Sequence, residues 1–268
     1  MGRIVTGLIL AIGWLLLLLV GTYPLFCLVI TAGGGLALHE FLRMSLQGRE
    51  SKYALPVIIV GIFPLLGASL WGSGGMTSSL FLAFSVLIIL TVIAYPSLDN
   101  GLVFVSKQWF GIFYIGFCAA HLILLRSLSN GIFWLLVLTA ITVFSDTAAY
   151  YVGRKFGKIK LCPALSPGKT RAGAVGGVIG GMLGGLVVAA IVFENANLAM
   201  VGLLSLTLSA IGIIGDLIES LIKRVSGVKD SGQILPGHGG LLDRCDSILL
   251  TAPVLYYVLY WGHTALLK

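Results

Sequence analysis

A chain of 268 residues that is 58% hydrophobic and only 10% charged is not an ordinary soluble domain, in which roughly a quarter of residues are charged. With a mean hydropathy of +1.04, it reads as one polytopic membrane domain. The net charge of +7 does not point to nucleic acid, because no basic stretch is interleaved with aromatics and cytoplasmic loops of membrane proteins are basic anyway. Cys27, Cys118, Cys162 and Cys245 form no CxxC pattern, which argues against a disulfide framework or a zinc site.

The first apolar run, residues 4–22, is too long for a signal peptide, lacks a clear small-x-small cleavage site and leads straight into another span. It is expected to be a retained helix. Further spans are expected at about 24–42, 54–71, 78–95, 108–126, 131–152, 173–193, 198–222 and 247–266, each long enough for a hydrocarbon core of about 30 Å. The fold class is therefore all-α integral membrane with about nine transmembrane helices. With the N-terminus cytoplasmic, every Lys and Arg except Arg126 and Lys268 falls on the cytoplasmic side, and the C-terminus lies outside. Residues 96–107 are too polar and short to span and are expected to form a short interfacial helix. The whole chain, 1–268, reads as a single domain, with N-terminal helices over 1–130 and the chemistry-bearing motifs over 131–268.

Those motifs begin in the sixth span. Asp146 lies well inside an apolar helix with no adjacent basic partner, the usual mark of a functional carboxylate in a membrane. A structural hydrogen bond to a Ser, Thr or Tyr is the plainer alternative. Tyr150 and Gly153 follow on the same face at i+4 and i+7. The next loop reads Ser166-Pro167-Gly168-Lys169-Thr170. Its last three residues are similar to the end of a Walker A motif, but Pro163 stands where that motif needs glycine and no strand precedes it. Such a turn can still bind phosphate through helix N-terminal N–H groups and one lysine; a plain basic loop is the other reading. In the seventh span Gly173, Gly177, Gly181 and Gly185 recur every four residues, the spacing of tightly packed helices in a core or at a dimer contact.

Charge then concentrates between residues 215 and 247, with nearly unbroken apolar sequence on either side. Asp216, Glu219, Ser220 and Lys223 share one helical face. Asp243 and Asp246, three apart, open the last span. Two acidic pairs at two helix mouths, joined by a loop with Gly, Lys229 and His238, suit a divalent cation and a polyphosphate. His238 serves equally as a base, a phosphate ligand or a residue that orders the loop.

The block Ser220-x-x-Lys223-Arg224, Lys229-Asp230-Ser231-Gly232, Leu235-Pro236-Gly237-His238-Gly239-Gly240 and Asp243-Arg244-x-Asp246-Ser247 resembles the signature of CDP-diacylglycerol synthases, the phosphatidate cytidylyltransferases. Asp146-x-x-Ala149-Tyr150-x-x-Gly153-Arg154-x-Phe156-Gly157 and Ser166-Pro167-x-Lys169-Thr170-x-x-Gly173 look like further motifs of that family, in order. Arg171 and Ala172 depart from it, since an aromatic or aliphatic residue and then an acid usually follow the Lys-Thr. The resemblance implies transfer of cytidylate from CTP to phosphatidate, releasing pyrophosphate, with Mg²⁺ and room for a second cation. It implies catalytic roles for Asp216, Glu219, Lys223, Lys229, Asp243 and Asp246, with metal on Asp216 and Asp246 and with Glu219 and Asp243 beside them. Substrate contacts would come from Asp146, Ser166, Lys169, Ser220, Arg224, His238 and Arg244. A homodimer in a bacterial inner membrane, with membrane lipids around it and the site facing the cytoplasm, is the implied setting. A cytidylyltransferase for an isoprenoid or ether-lipid phosphate is the near alternative. A transporter is the remote one, disfavoured because no inverted repeat is visible.

Overall fold

The computed structural model describes residues 2–235, 237 and 239–266. Its helices fall into two compact units, one of residues 1–127 and 225–245, the other of residues 128–224 and 246–268. The expected site residue His238 lies outside the described residues.

The first unit opens with α1 (Gly2–Leu19) and α2 (Tyr23–Ser45), the latter entered through Pro24 in its first turn, where a missing N–H costs nothing. Arg126 donates to the carbonyl of Gly21 (3.2 Å) and lies 5.9 Å from the Phe26 ring centre, so the α1–α2 turn is closed by a cation. A 3₁₀ turn, Gly48–Tyr53, leads to α3 (Ala54–Gly61) and α4 (Phe63–Ala94). Helical geometry breaks inside α4 at Gly72 (φ 66°, ψ −150°). Gly67 and Gly75 then face each other, each with the other's carbonyl where a Cβ would stand. In a straight helix residues eight apart are separated by about 12 Å, so the chain folds back here.

The short helix expected over 96–107 starts later and runs further. A short 3₁₀ turn, Tyr95–Ser97, precedes Asn100, whose side chain accepts from the N–H groups of Leu102 and Val103 (both 3.1 Å). That N-cap starts α5 (Gly101–Gly111), which passes through a π-helical stretch, Ile112–Phe117, into α6 (Cys118–Ser127). The polar face of 100–107 thus begins a longer helix, an outcome that N-capping favours. This helix is the core of the first unit: Phe104, Ile112, Ile115, Ala120, Ile123 and Leu125 are buried on it.

The second unit contains α7 (Gly131–Phe156), a hairpin of β1 (Lys160–Cys162) and β2 (Ser166–Thr170), then α8 (Arg171–Val192), α9 (Leu198–Val225) and, from Asp246 onward, α10 (Leu242–Leu266), whose first turn belongs to the first unit. The antiparallel hairpin, pairing Lys160 with Thr170 and Cys162 with Ser166, departs from a wholly helical chain. It ends in Thr170, which caps α8 by accepting from Gly173 N–H (3.1 Å). The glycine stripe of α8 packs within the chain. Cβ atoms at Gly176, Gly180 and Gly184 would collide with Val152, Ala148 and Phe144 of α7; those at Gly181 and Gly185 would meet Ser209 and Ser205 of α9. Small residues let these backbones approach closely where burial of apolar surface drives little association.

Among the described residues six helical stretches are long and apolar enough to cross a membrane, one of them the folded-back Gly48–Ser97. Large apolar side chains such as Ile9, Val20, Trp71, Phe81, Ile93 and Ile191 are exposed, a surface suited to lipid and not to water. The chain is an all-α membrane protein, with one small hairpin among the described residues.

Candidate active site

In the second unit α9 delivers Asp216, Glu219, Ser220 and Lys223 from successive turns, and the first turns of α10 deliver Asp246. Gly215 permits this meeting, since a Cβ there would lie 2.7 Å from the Asp246 carbonyl. Gly212, one turn earlier, packs against Ser247 and Thr251. One carboxylate oxygen from each of Asp216, Glu219 and Asp246 lies within 4.8 Å of the others. Lys169, carried in by β2, is paired with Asp216 at 2.5 Å, and Lys223 with Glu219 at 2.6 Å. Glu219 is 2% exposed, a burial that an acid tolerates only with such a partner.

Asp146, Asp216, Glu219 and Asp246 are four acids against Lys169 and Lys223, a formal excess of two negative charges. The consequence falls on Asp246, which stands just ahead of the apolar run 247–266. Burial, then the charge of Asp216, raises its pKa to about 7; Asp146 adds to the rise, while the Ser247 N–H (2.7 Å) and Lys169 oppose it. A divalent cation would remove this excess, and hard oxygen donors are what magnesium takes. The three carboxylates therefore fit such an ion.

Beside the cluster a cavity of about 620 Å³ is lined by Asp146, Tyr150, Arg154, Lys160, Lys169 and Asp216, with the backbone of Gly153, Gly157 and Gly173 forming bare wall. It has the size of a small-molecule pocket and the charge of one that handles phosphate. A smaller groove of about 350 Å³ in the first unit, around Thr91, Tyr95 and Leu102, carries no charged side chain. Arg224 donates through Nε to the Leu165 carbonyl (3.1 Å), tying the end of α9 to the hairpin turn. Ser166 begins β2 and is half-buried, and Ser220 is buried in α9.

The remaining expected residues belong to the 225–245 segment of the first unit. Lys229 and Arg244 are exposed there. Asp243 is not in the three-carboxylate group; it accepts from Ser231 N–H (3.1 Å) and Gly240 N–H (2.8 Å), with Ser231 Oγ at 3.0 Å. Its visible work is to fold the loop that joins α9 to α10. A partner in that work escapes the sequence reading. Glu40 on α2, 2% exposed, accepts from the N–H groups of Leu241 (3.0 Å) and Leu242 (2.9 Å). The signal was present: Glu40, like Asp146, is a carboxylate inside an apolar helix.

A bundle of apolar helices that gathers three carboxylates, two lysines and a cation-lined cavity defines a membrane enzyme acting on phosphorylated substrates. The chain belongs to the cytidylyltransferase family, which it matches over residues 1–261. It is similar to the phosphatidate cytidylyltransferase of Bacillus subtilis (strain 168), 38% identical over 266 residues and 96% of each chain. That of Staphylococcus haemolyticus (strain JCSC1435) is 35% identical over 268 residues, 96% of this chain and 98% of the other. That of Brucella suis biovar 1 (strain 1330) is 44% identical over 147 residues, 54% of each chain.

Proposed function

We propose that the protein transfers cytidylate from CTP to phosphatidate, giving CDP-diacylglycerol and pyrophosphate. The observation that carries this reading is the acidic cluster on α9 and α10 beside a cation-lined cavity the size of a small-molecule pocket, in a chain similar over nearly its whole length to phosphatidate cytidylyltransferases. The nucleophile is an oxygen of the lipid phosphomonoester, whose second pKa of about 6 leaves it ionised near neutrality. No strong general base is then needed. The oxygen attacks the α-phosphorus of CTP, a new P–O bond forms, and the bond to the β-phosphate oxygen breaks to release pyrophosphate.

The obstacle is repulsion between two anions and the charge that builds on the leaving group, so catalysis rests on positioning and fixed positive charge. Lys169 and Lys223 hold charge at the cluster, and Arg154 and Lys160 supply it along the cavity wall. Asp216, Glu219 and Asp246 would hold magnesium, which when bound screens the phosphates and steadies the leaving pyrophosphate. Asp146 completes the polar wall, and by the family resemblance Lys229 and Arg244 also serve phosphate. The glycines opposite leave room for a nucleotide to approach backbone.

The membrane setting follows from the lipid, whose acyl chains stay in the bilayer while its headgroup meets CTP. We place nine crossings in the chain: the six apolar stretches with Gly48–Ser97 counted twice for its reversal at Gly72, plus α1 and α10. We assign the N-terminus and the site to the cytoplasmic side of a bacterial inner membrane; the bias of Lys and Arg toward one side supports that orientation.

The test is purified protein with α-labelled CTP and a panel of lipid phosphates. Label entering the organic phase as CDP-diacylglycerol, with phosphatidate preferred, is expected. Transfer only to an isoprenoid phosphate keeps the chemistry and replaces the substrate; no transfer to any lipid overturns the reading.

A further inference from the structure

The loop between α9 and α10 closes around a side chain from far away in sequence. Glu40 Oε1 accepts from Leu241 N–H and Oε2 from Leu242 N–H, with Ser231 Oγ 3.3 Å from Oε2. Leu242 is the first residue of α10, whose leading N–H groups have no partner inside the helix. Glu40 thus caps α10 from α2, where a helix normally uses a residue of its own chain neighbourhood. The fit is close. A Cβ at Gly240 would lie 2.6 Å from Glu40 Oε2, and one at Gly232 would collide with the same carboxylate. Asp243 also holds Ser231 and Gly240, so Ser231 and the 240–242 backbone are held by two acids.

We propose that Glu40 is a positioning residue for cytidylyl transfer: a latch that sets the loop carrying Lys229 and fixes the start of α10, and with it Asp246 four residues on. This rests on the reaction proposed above. A glutamate there has the chemistry the contacts require. A carboxylate only accepts, and the groups facing it are donors; an amide would turn an NH₂ toward one of those N–H groups.

The experiment compares the full-length protein with Glu40→Gln and Gly232→Ala in detergent. Gly232→Ala leaves the membrane helices untouched and displaces the loop from Glu40, so it carries the test should Glu40→Gln misfold. Amide hydrogen exchange is read at residues 231 and 240–242, alongside turnover at saturating CTP and phosphatidate, half-saturating Mg²⁺ and melting temperature. Expected are loss of protection confined to that loop, turnover down about tenfold or more, a raised Mg²⁺ requirement and an unchanged melting temperature. Full protection in Glu40→Gln overturns the latch. Protection lost with turnover and Mg²⁺ requirement intact overturns its positioning role. A wild-type protein inactive toward phosphatidate contradicts the reaction and not the latch, which the exchange arm still decides.

Discussion

At the cluster, Asp246 is poised between two states by its surroundings. With its pKa raised to about 7 by burial and Asp216, it takes a proton below that pH and must give it up to bind a cation. Protons and magnesium therefore compete. The half-saturating Mg²⁺ concentration is expected to rise by up to about tenfold for each pH unit below 7 and to level off above it. Activity titrated with Mg²⁺ at pH 6, 7 and 8 checks this; a pH-independent requirement would mean that Asp246 is not a ligand. The lysines separate in the same way. Lys229→Ala is expected to lower turnover more than Lys158→Ala, because Lys229 stands on the loop between the acid-bearing helices and Lys158 is an anchor beyond α7. Equal losses would show that anchor and ligand have been confused. At this scale much was legible. Asp216, Glu219 and Lys223 could be placed on one face from spacing alone, and Asp246 from its position at the mouth of the next span. What spacing could not give was the division of labour between Asp243 and Asp246. They are three apart on one helix, yet one accepts from loop N–H groups and the other meets α9, a choice made by tertiary contacts.

Among the elements, the pairing of α7 with α8 does most to shape the cavity, since Gly153, Gly157 and Gly173 bring the two backbones and the hairpin together. Gly181→Val is expected to force a branched side chain against Ser209 and the Ile141 carbonyl, lowering stability by about 1–3 kcal/mol. Gly13→Ala in α1, where a Cβ meets nothing within 4 Å, should leave stability the same or slightly higher. Thermal unfolding of both variants in detergent measures the contrast; equal melting temperatures would contradict the packing. The glycine repeat was visible in sequence, but whether it served a neighbouring helix or a second copy of the chain was not, because small residues serve both. The hairpin of β1 and β2 was hidden for a different reason. Five residues of β2 beginning Ser-Pro-Gly carry no alternation of polar and apolar side chains from which a strand could be read.

Over the whole molecule, hydropathy told where apolar helices lie and, through the gap between the expected spans 54–71 and 78–95, where this long stretch turns. Inside that gap Gly72 breaks the helix with a positive φ, and Gly67 and Gly75 face each other; the turn within Gly48–Ser97 was legible, but the residue that makes it was not, because no charge marks a loop there. The proposed orientation makes this testable. In a cysteine-free background, a single cysteine at Ser73 or Ser127 should react with an impermeant maleimide from outside intact cells, and one at Ser51 only after lysis. Labelling of Ser51→Cys from outside would break the nine-crossing arrangement.

We propose that Asp216, Glu219 and Asp246 form a magnesium site that drives cytidylyl transfer. The most direct measurement follows α-labelled CTP into lipid with phosphatidate present, for wild type and Asp246→Asn, before EDTA, after EDTA and after Mg²⁺ is restored. Wild type is expected to make CDP-diacylglycerol, stop with EDTA and recover with Mg²⁺, while folded Asp246→Asn loses at least about a hundredfold. Transfer that survives EDTA, or an Asp246→Asn protein with near-normal turnover, would contradict the claim.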